Sequence, residues 1–248
     1  MCRDVVRRFS VYKNSLHGET FVRFVEPGDA RGSLKWIRRA VNDFPDLLNQ
    51  RLREALGLRQ DSAIAWTSPL SQDDFAEYRD DDFIRLTAMQ LPHRRLEEFW
   101  PVRGPQWDAL ARVGTSGALL VEAKANVPEI VSPGTGAEGE RRALLEKSLA
   151  ELKVFLGVDP NISWSGKFYQ YANRLAHLYF LREVNRQDAY LAFVYFTGDS
   201  DVDGPATVAE WKAALTVAKG ALGVPKRHRL SKYVAEVFID ISELEHAA

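Results

Sequence analysis

Apolar positions along this chain follow two periods, and the switches between them mark its elements. From Ser33 the helical spacing of Trp36, Ile37, Ala40, Val41 and Phe44 predicts an amphipathic helix. Pro45 must kink that helix or open a second one carrying Leu47, Leu48, Leu52 and Leu56. Strand-like segments are expected at Phe21–Val25, ending at the turn signal Pro27-Gly28-Asp29, and at Ala63–Thr67. Residues 104–124 alternate apolar and polar positions on either side of Gly114-Thr115-Ser116-Gly117, the pattern of two strands joined by a tight turn. Helices are predicted from about Ala137 to Leu156, with Leu145, Leu149, Leu152 and Leu156 facing the core, and from near Ser165, with Phe168, Tyr171, Leu175, Leu178 and Tyr179 on the apolar side. Ala189–Phe196 is a nearly continuous apolar run, as in a strand covered on both faces. Thr207 and Glu210 form a capping box for a helix through Leu222, closed by Gly223 and Pro225, and Tyr233–Ile241 is the last strand.

This order, helix, strand, paired strands, two helices, strand, helix, strand, predicts an α/β domain with a mixed central sheet flanked by helices, its final strand-helix-strand unit a right-handed crossover. Residues 1–30 are an N-terminal extension with one strand, and residues 31–248 form a single domain without internal repeats. A chain of 248 residues with 46% hydrophobic content can bury one large core. The formal net charge of −1 argues against a coat protein that binds nucleic acid by charge alone. A single cysteine, Cys2, excludes an internal disulfide framework and a zinc knuckle, and makes a cysteine nucleophile unattractive so near a terminus. No apolar run approaches the roughly 18 residues of a membrane span, and the N-terminus lacks a signal core, so a soluble cytoplasmic protein is expected.

The candidate chemistry lies in the hairpin. Residues two apart on a strand share a face, so Glu122 and Lys124 project together while Val121 and Ala123 point the other way. If Val113 and Ala118 flank the turn, Asp108 falls level with Ala123, within about one residue of both. Two carboxylates and an ammonium then share one patch. Nearby carboxylates repel unless a cation or proton lies between them, and oxygen ligands suit Mg²⁺, with Mn²⁺ as an alternative. The plainer reading is a cross-strand salt bridge at the surface.

Asp108 followed by Glu122-Ala123-Lys124 at the end of an apolar strand resembles the PD-(D/E)XK nuclease superfamily, with Trp107 where the motif's name has proline. The likeness in element order spans about residues 30–241 and that in motif three positions. It implies a restriction-endonuclease-like fold and a Mg²⁺-dependent nuclease. Asp108, Glu122 and the carbonyl of Ala123 would hold the metal, and Lys124 would align the attacking water. The resemblance also implies a nucleic-acid partner. Some members carry a glutamine on the helix after the motif strand and a tyrosine four residues later. Here Gln170 is followed at that spacing by Arg174, which could orient substrate by clamping phosphate.

Gln170, Asn173, Arg174 and His177 make a polar stripe beside an aromatic helix face, which either faces solvent or lines a pocket. Lys226, Arg227, His228, Arg229 and Lys232 form a compact basic cluster, a phosphate-contacting loop or a solvated one. His177 and His93 are expected to be structural. The acidic run Asp73, Asp74, Glu77, Asp80, Asp81 and Asp82 is expected to be a solvated face, with Glu77 the member that could reach the metal from a helix. Lys124→Met is expected to leave the melting temperature nearly unmoved, because surface pairs contribute at most about 1 kcal/mol. A catalytically idle member of the same fold, serving as an interaction module, and a hydrolase of small phosphorylated molecules are the rival functions.

Overall fold

The computed structural model describes residues 10–16, 19–25 and 29–245, so Cys2 and the rest of the N-terminal nine residues lie outside them. In chain order the elements are β1 (Ser10–Leu16), β2 (Glu19–Val25), α1 (Gly32–Asn42), α2 (Pro45–Leu56), β3 (Ile64–Ser68), α3 (Asp80–Leu86), α4 (Leu96–Phe99), β4 (Ala109–Val113), β5 (Gly117–Lys124), α5 (Gly139–Leu156), α6 (Tyr169–Tyr179), β6 (Ala189–Thr197), α7 (Val208–Ala221) and β7 (Val234–Asp240). A single π-helical turn, Phe180–Val184, extends α6.

Strands β3 to β7 form one open mixed sheet in sequential order. The pairs β3–β4 and β4–β5 are antiparallel, and β5–β6 and β6–β7 are parallel. Each parallel pair needs a crossover, supplied by α5 and α6 for the first and by α7 for the second. β5 is buried over all eight residues and β6 over all but Tyr190, which accounts for the continuous apolar run of β6. The alternation along β5 divides the core in two. Leu119, Val121 and Ala123 pack with α1 and α2 through Trp36, Ile37, Leu48 and Leu52. Ala118 and Leu120 pack with α5, α6 and α7 through Leu149, Leu152, Leu175 and Leu215. Glu122 and Lys124 are in phase with the second set, so they emerge from the sheet toward α6.

The helix ends follow local sequence. Pro45 opens α2 rather than kinking α1. Thr207 and Glu210 cap α7 reciprocally. The chain before α6 departs from expectation: Ser165–Phe168 is not helical, and the helix begins only at Tyr169, after Phe168 at φ 63°. Helices α3 and α4 were not evident in the periodicity, being seven and four residues long. The strand expected near residue 21 is β2, paired with β1 in a separate two-stranded sheet. That sheet joins the domain through reciprocal backbone hydrogen bonds between Phe24 and Glu77 (3.2 and 3.0 Å).

The acidic run is a solvated face only in part: Asp74 and Asp81 are exposed, whereas Glu77 and Asp82 are buried. Asp82 accepts the Val22 N–H (2.9 Å) and pairs with Arg85, Asp80 accepts the N–H groups of Arg103 (3.1 Å) and Gly104 (2.8 Å), and Asp73 and Asp74 pair with Arg23. These carboxylates satisfy backbone donors of β2 and of the Arg103-Gly104 turn, and an arginine that would otherwise be buried without partners.

The end of β5 is held by a loop. Asp199 accepts the Trp36 indole N–H (2.7 Å), both residues being buried, and Gly204 lies against the chain so closely that a Cβ there would sit 2.5 Å from the Ala125 carbonyl oxygen and 2.9 Å from that of Asp199. Both obstacles are backbone, which cannot rotate away. Gly204→Ala should therefore cost about 1–3 kcal/mol, and a calorimetric scan should show a melting temperature lower by roughly 2–12 °C.

Candidate active site

The hairpin turn is tighter than expected. Gly114 takes φ 59°, and Val113 pairs with Gly117 rather than with Ala118. The register, Ala109 opposite Val121, extends by one residue to set Asp108 level with Glu122 instead of Ala123. Asp108 Oδ2 accepts the Ala123 backbone N–H (2.7 Å), which ties the carboxylate across the two strands.

Glu122 is 2% exposed, and Lys124, Arg174 and Asp108 are 8%, 4% and 9% exposed. A lone carboxylate so deep would be costly, and here two cations share it. Lys124 Nζ pairs with Oε1. Arg174 donates through Nε to Oε2 (2.6 Å) and pairs with the same oxygen through Nη2. The guanidinium also donates to the Gln106 carbonyl (2.9 Å) and to Asn173 Oδ1 (2.9 Å), and lies over the Trp107 ring at 4.8 Å. Burial alone would raise the Glu122 pKa, but the charges of Arg174 and Lys124 outweigh it and hold the carboxyl below its ordinary value. Burial likewise works against the Lys124 ammonium, while Glu122, Asp108 and Glu129 raise its pKa above the ordinary lysine value.

These residues open on a cleft of about 530 Å³ beside the C-terminal end of β5. Its lining includes Glu77, Asp108, Glu122, Lys124, Gln170, Asn173 and Arg174. The first three residues of the polar stripe on α6 thus face this cleft. His177 does not: it is 1% exposed, packed against Trp100, Trp107 and Phe83, and its Nδ1 donates to the Asn173 carbonyl (2.8 Å). Burial takes its pKa down to about 3, as suits a structural histidine. His93 is exposed.

Glu77 is 1% exposed and reaches the cleft from the extended segment bridged to Phe24, not from a helix, and it accepts from Gln106 Nε2 (2.5 Å). Glu129 is a second lining carboxylate outside the motif. It accepts the Ala125 N–H (3.1 Å) just beyond β5. Its spacing five residues after Lys124 was the available signal, but no period marks a short 3₁₀ turn.

The basic cluster is not part of the lining. Lys226 and Arg227 are exposed, and Arg227, His228 and Arg229 border a separate depression beside Val154–Gly157 at the end of α5. Arg229 stacks over Phe155 at 5.1 Å.

Among the described residues no group of three or more His, Cys, Asp or Glu side chains is disposed to hold a metal ion, and no helix is long and apolar enough to cross a membrane. Mg²⁺ characteristically uses one or two carboxylates and several waters, so the oxygen pair Asp108 and Glu122 fits it by donor type. The competing feature is that both oxygens of Glu122 already accept from cations. Compared with protein-family models, with curated proteins and with solved structures, the chain matches none.

Burial corrects the expectation for Lys124, whose partners are not surface carboxylates. Lys124→Met removes one of two counter-charges from a buried carboxylate and should cost about 3 kcal/mol, visible as a melting temperature lower by roughly 6–12 °C. His177 gives a pH signature. Its folded-state pKa, about 3, lies below its ordinary 6.5, so the unfolded chain binds more protons in between and stability falls as pH drops through that window. Melting wild type and His177→Gln across this range should show a shallower acid decline in the variant.

Proposed function

We propose that this protein is a metal-dependent phosphodiester hydrolase of the nuclease type, built on a restriction-endonuclease-like domain and acting on nucleic acid. The observation that carries the reading is the meeting of Asp108, Glu122 and Lys124 in one cleft at the end of an apolar strand. The element order and a five-stranded mixed sheet with α-helices packed on it support the same reading.

Asp108 and Glu122, with the carbonyl of Ala123, would hold Mg²⁺, for which Mn²⁺ would substitute. When bound, the ion supplies Lewis-acid stabilisation of the phosphoryl oxygens and lowers the pKa of coordinated water. Lys124 has a raised pKa, so at neutral pH it is a permanent cation and not a general base. Its role is to donate hydrogen bonds to the attacking water and to offset the negative charge that builds on the phosphorus centre. Gln170, from the first turn of α6, orients water or substrate at the cleft wall. Asn173 fixes the guanidinium of Arg174, whose fork suits a phosphate diester. The exposed Lys226 and Arg227 would contact a polymer only if it extends well beyond the reacting phosphate.

One observation favours the rival reading, a fold that has lost catalysis and serves as an interaction module: Glu122 is fully paired within the protein. Calorimetric titration and a cleavage panel of DNA and RNA separate the two. Wild type should bind Mn²⁺ and cut at least one polymer, and Asp108→Asn should lose both. For Lys124→Met, assayed well below its melting temperature, cleavage should fall by a factor of roughly 10²–10³, the usual consequence of losing one transition-state donor. Wild-type protein that binds Mn²⁺ yet cuts nothing would leave the module reading standing.

A further inference from the structure

Arg174 occupies an unusual place for a residue that would serve substrate. It is 4% exposed, and all three of its guanidinium nitrogens are engaged within the protein: Nε on Glu122 Oε2 (2.6 Å), Nη2 on the Gln106 carbonyl (2.9 Å) and Nη1 on Asn173 Oδ1 (2.9 Å). Lys124 holds the other oxygen of Glu122. A carboxylate whose two oxygens both face cations offers a third cation little attraction, because each new charge meets its neighbours as well as the acid.

The charge balance of the cleft sharpens the point. Its lining contains four carboxylates, Glu77, Asp108, Glu122 and Glu129, and three cations, Arg103, Lys124 and Arg174. The net charge is −1, so a divalent ion entering with every side chain in place would leave an excess of positive charge in a mostly buried site. Moving the Arg174 guanidinium off Glu122 removes the closest repulsion and frees one carboxylate oxygen. Lys124 is less suited to leave, since Glu122, Asp108 and Glu129 all act on it.

We infer that Arg174 is a resident counter-cation at Glu122 that competes with the divalent ion, and that metal loading displaces it toward the phosphate of a substrate bound in the same cleft. The inference rests on the phosphodiesterase reading above and adds a regulatory step to it. In the resting protein the guanidinium keeps the buried carboxylate neutralised. A bound phosphodiester supplies a new acceptor for that guanidinium, so metal and substrate bind with positive coupling, each easing the other's entry. Arg174 in this account is a positioning residue for the metal site before it is a substrate contact.

The test measures Mn²⁺ affinity by calorimetry, independently of any cleavage. Arg174→Met keeps an unbranched side chain at the position and removes the charge, and it should bind Mn²⁺ about tenfold more tightly than wild type, within the usual range of coupling between two sites. Asn173→Ala leaves the cation but deletes one of its anchors, and should tighten binding by a smaller factor, roughly threefold. That variant keeps the test available should Arg174→Met fail to fold. A second readout is thermal: in EDTA the Met variant should melt below wild type, and saturating Mn²⁺ should raise its melting temperature by more than it raises that of wild type. If wild type and both variants bind Mn²⁺ equally while Asp108→Asn loses it, the competition is overturned and the metal site stands. If none of them binds Mn²⁺, both the competition and the metal reading fall.

Discussion

A carboxylate buried on the central strand of a sheet must be neutralised, and the way this chain neutralises Glu122 decides much of its architecture. The first cation is local: Lys124 is two residues along β5 and shares the face of Glu122 by strand geometry alone. The second comes from a distant element, because Arg174 belongs to α6, fifty-two positions further along the chain. Its guanidinium also grips the Gln106 carbonyl and lies on Trp107, so one side chain fastens α6, β5 and the approach to β4 to one another. Removing the arginine would leave a helix without its polar anchor and a carboxylate half neutralised. Residues of all three elements line the cleft beside this ion pair.

Local physics made most of the elements visible from sequence. Strand alternation placed Glu122 and Lys124 together, helical spacing identified the buried leucines of α5, and the capping box located the start of α7. What was not legible involved contacts across the chain. The hairpin register was off by one residue because Gly114 in a left-handed conformation shortens the turn, which composition alone does not reveal. Asp80 and Asp82 looked as solvated as the exposed Asp74 and Asp81 because nothing local shows that the backbone N–H groups of Val22, Arg103 and Gly104 come to them. His177 shares the spacing of the polar stripe, but as expected of a structural histidine it lies where Trp100, Trp107 and Phe83 converge, one turn beyond the cleft.

The largest discrepancy concerned burial. A charged triad at the end of a strand was expected at the surface, where its pairing would matter little for stability. It is instead covered by α6 and by the loop leading to α5, so desolvation raises the stakes of every charge in it. Stability and chemistry then cannot be assigned to separate residues: Lys124 is both a counter-ion of a buried acid and a donor lining the cleft of the proposed reaction. Kinetic effects of substitutions here are interpretable only beside the stability of the same variants.

The same coupling bears on how an ion would be accommodated. Resting stability and affinity for an incoming cation draw on the same lone pairs of Glu122, so tightening one loosens the other. A surface carboxylate would escape this conflict, because water could stabilise it in either state, but it would act in a higher dielectric and give weaker electrostatic stabilisation to a transition state. Placing the acid inside and matching it with a guanidinium that could yield to an ion would keep the low dielectric without leaving a bare charge. The arginine suits that part better than a lysine would, because its planar fork can pass from a carboxylate to a phosphate diester with the same donor geometry.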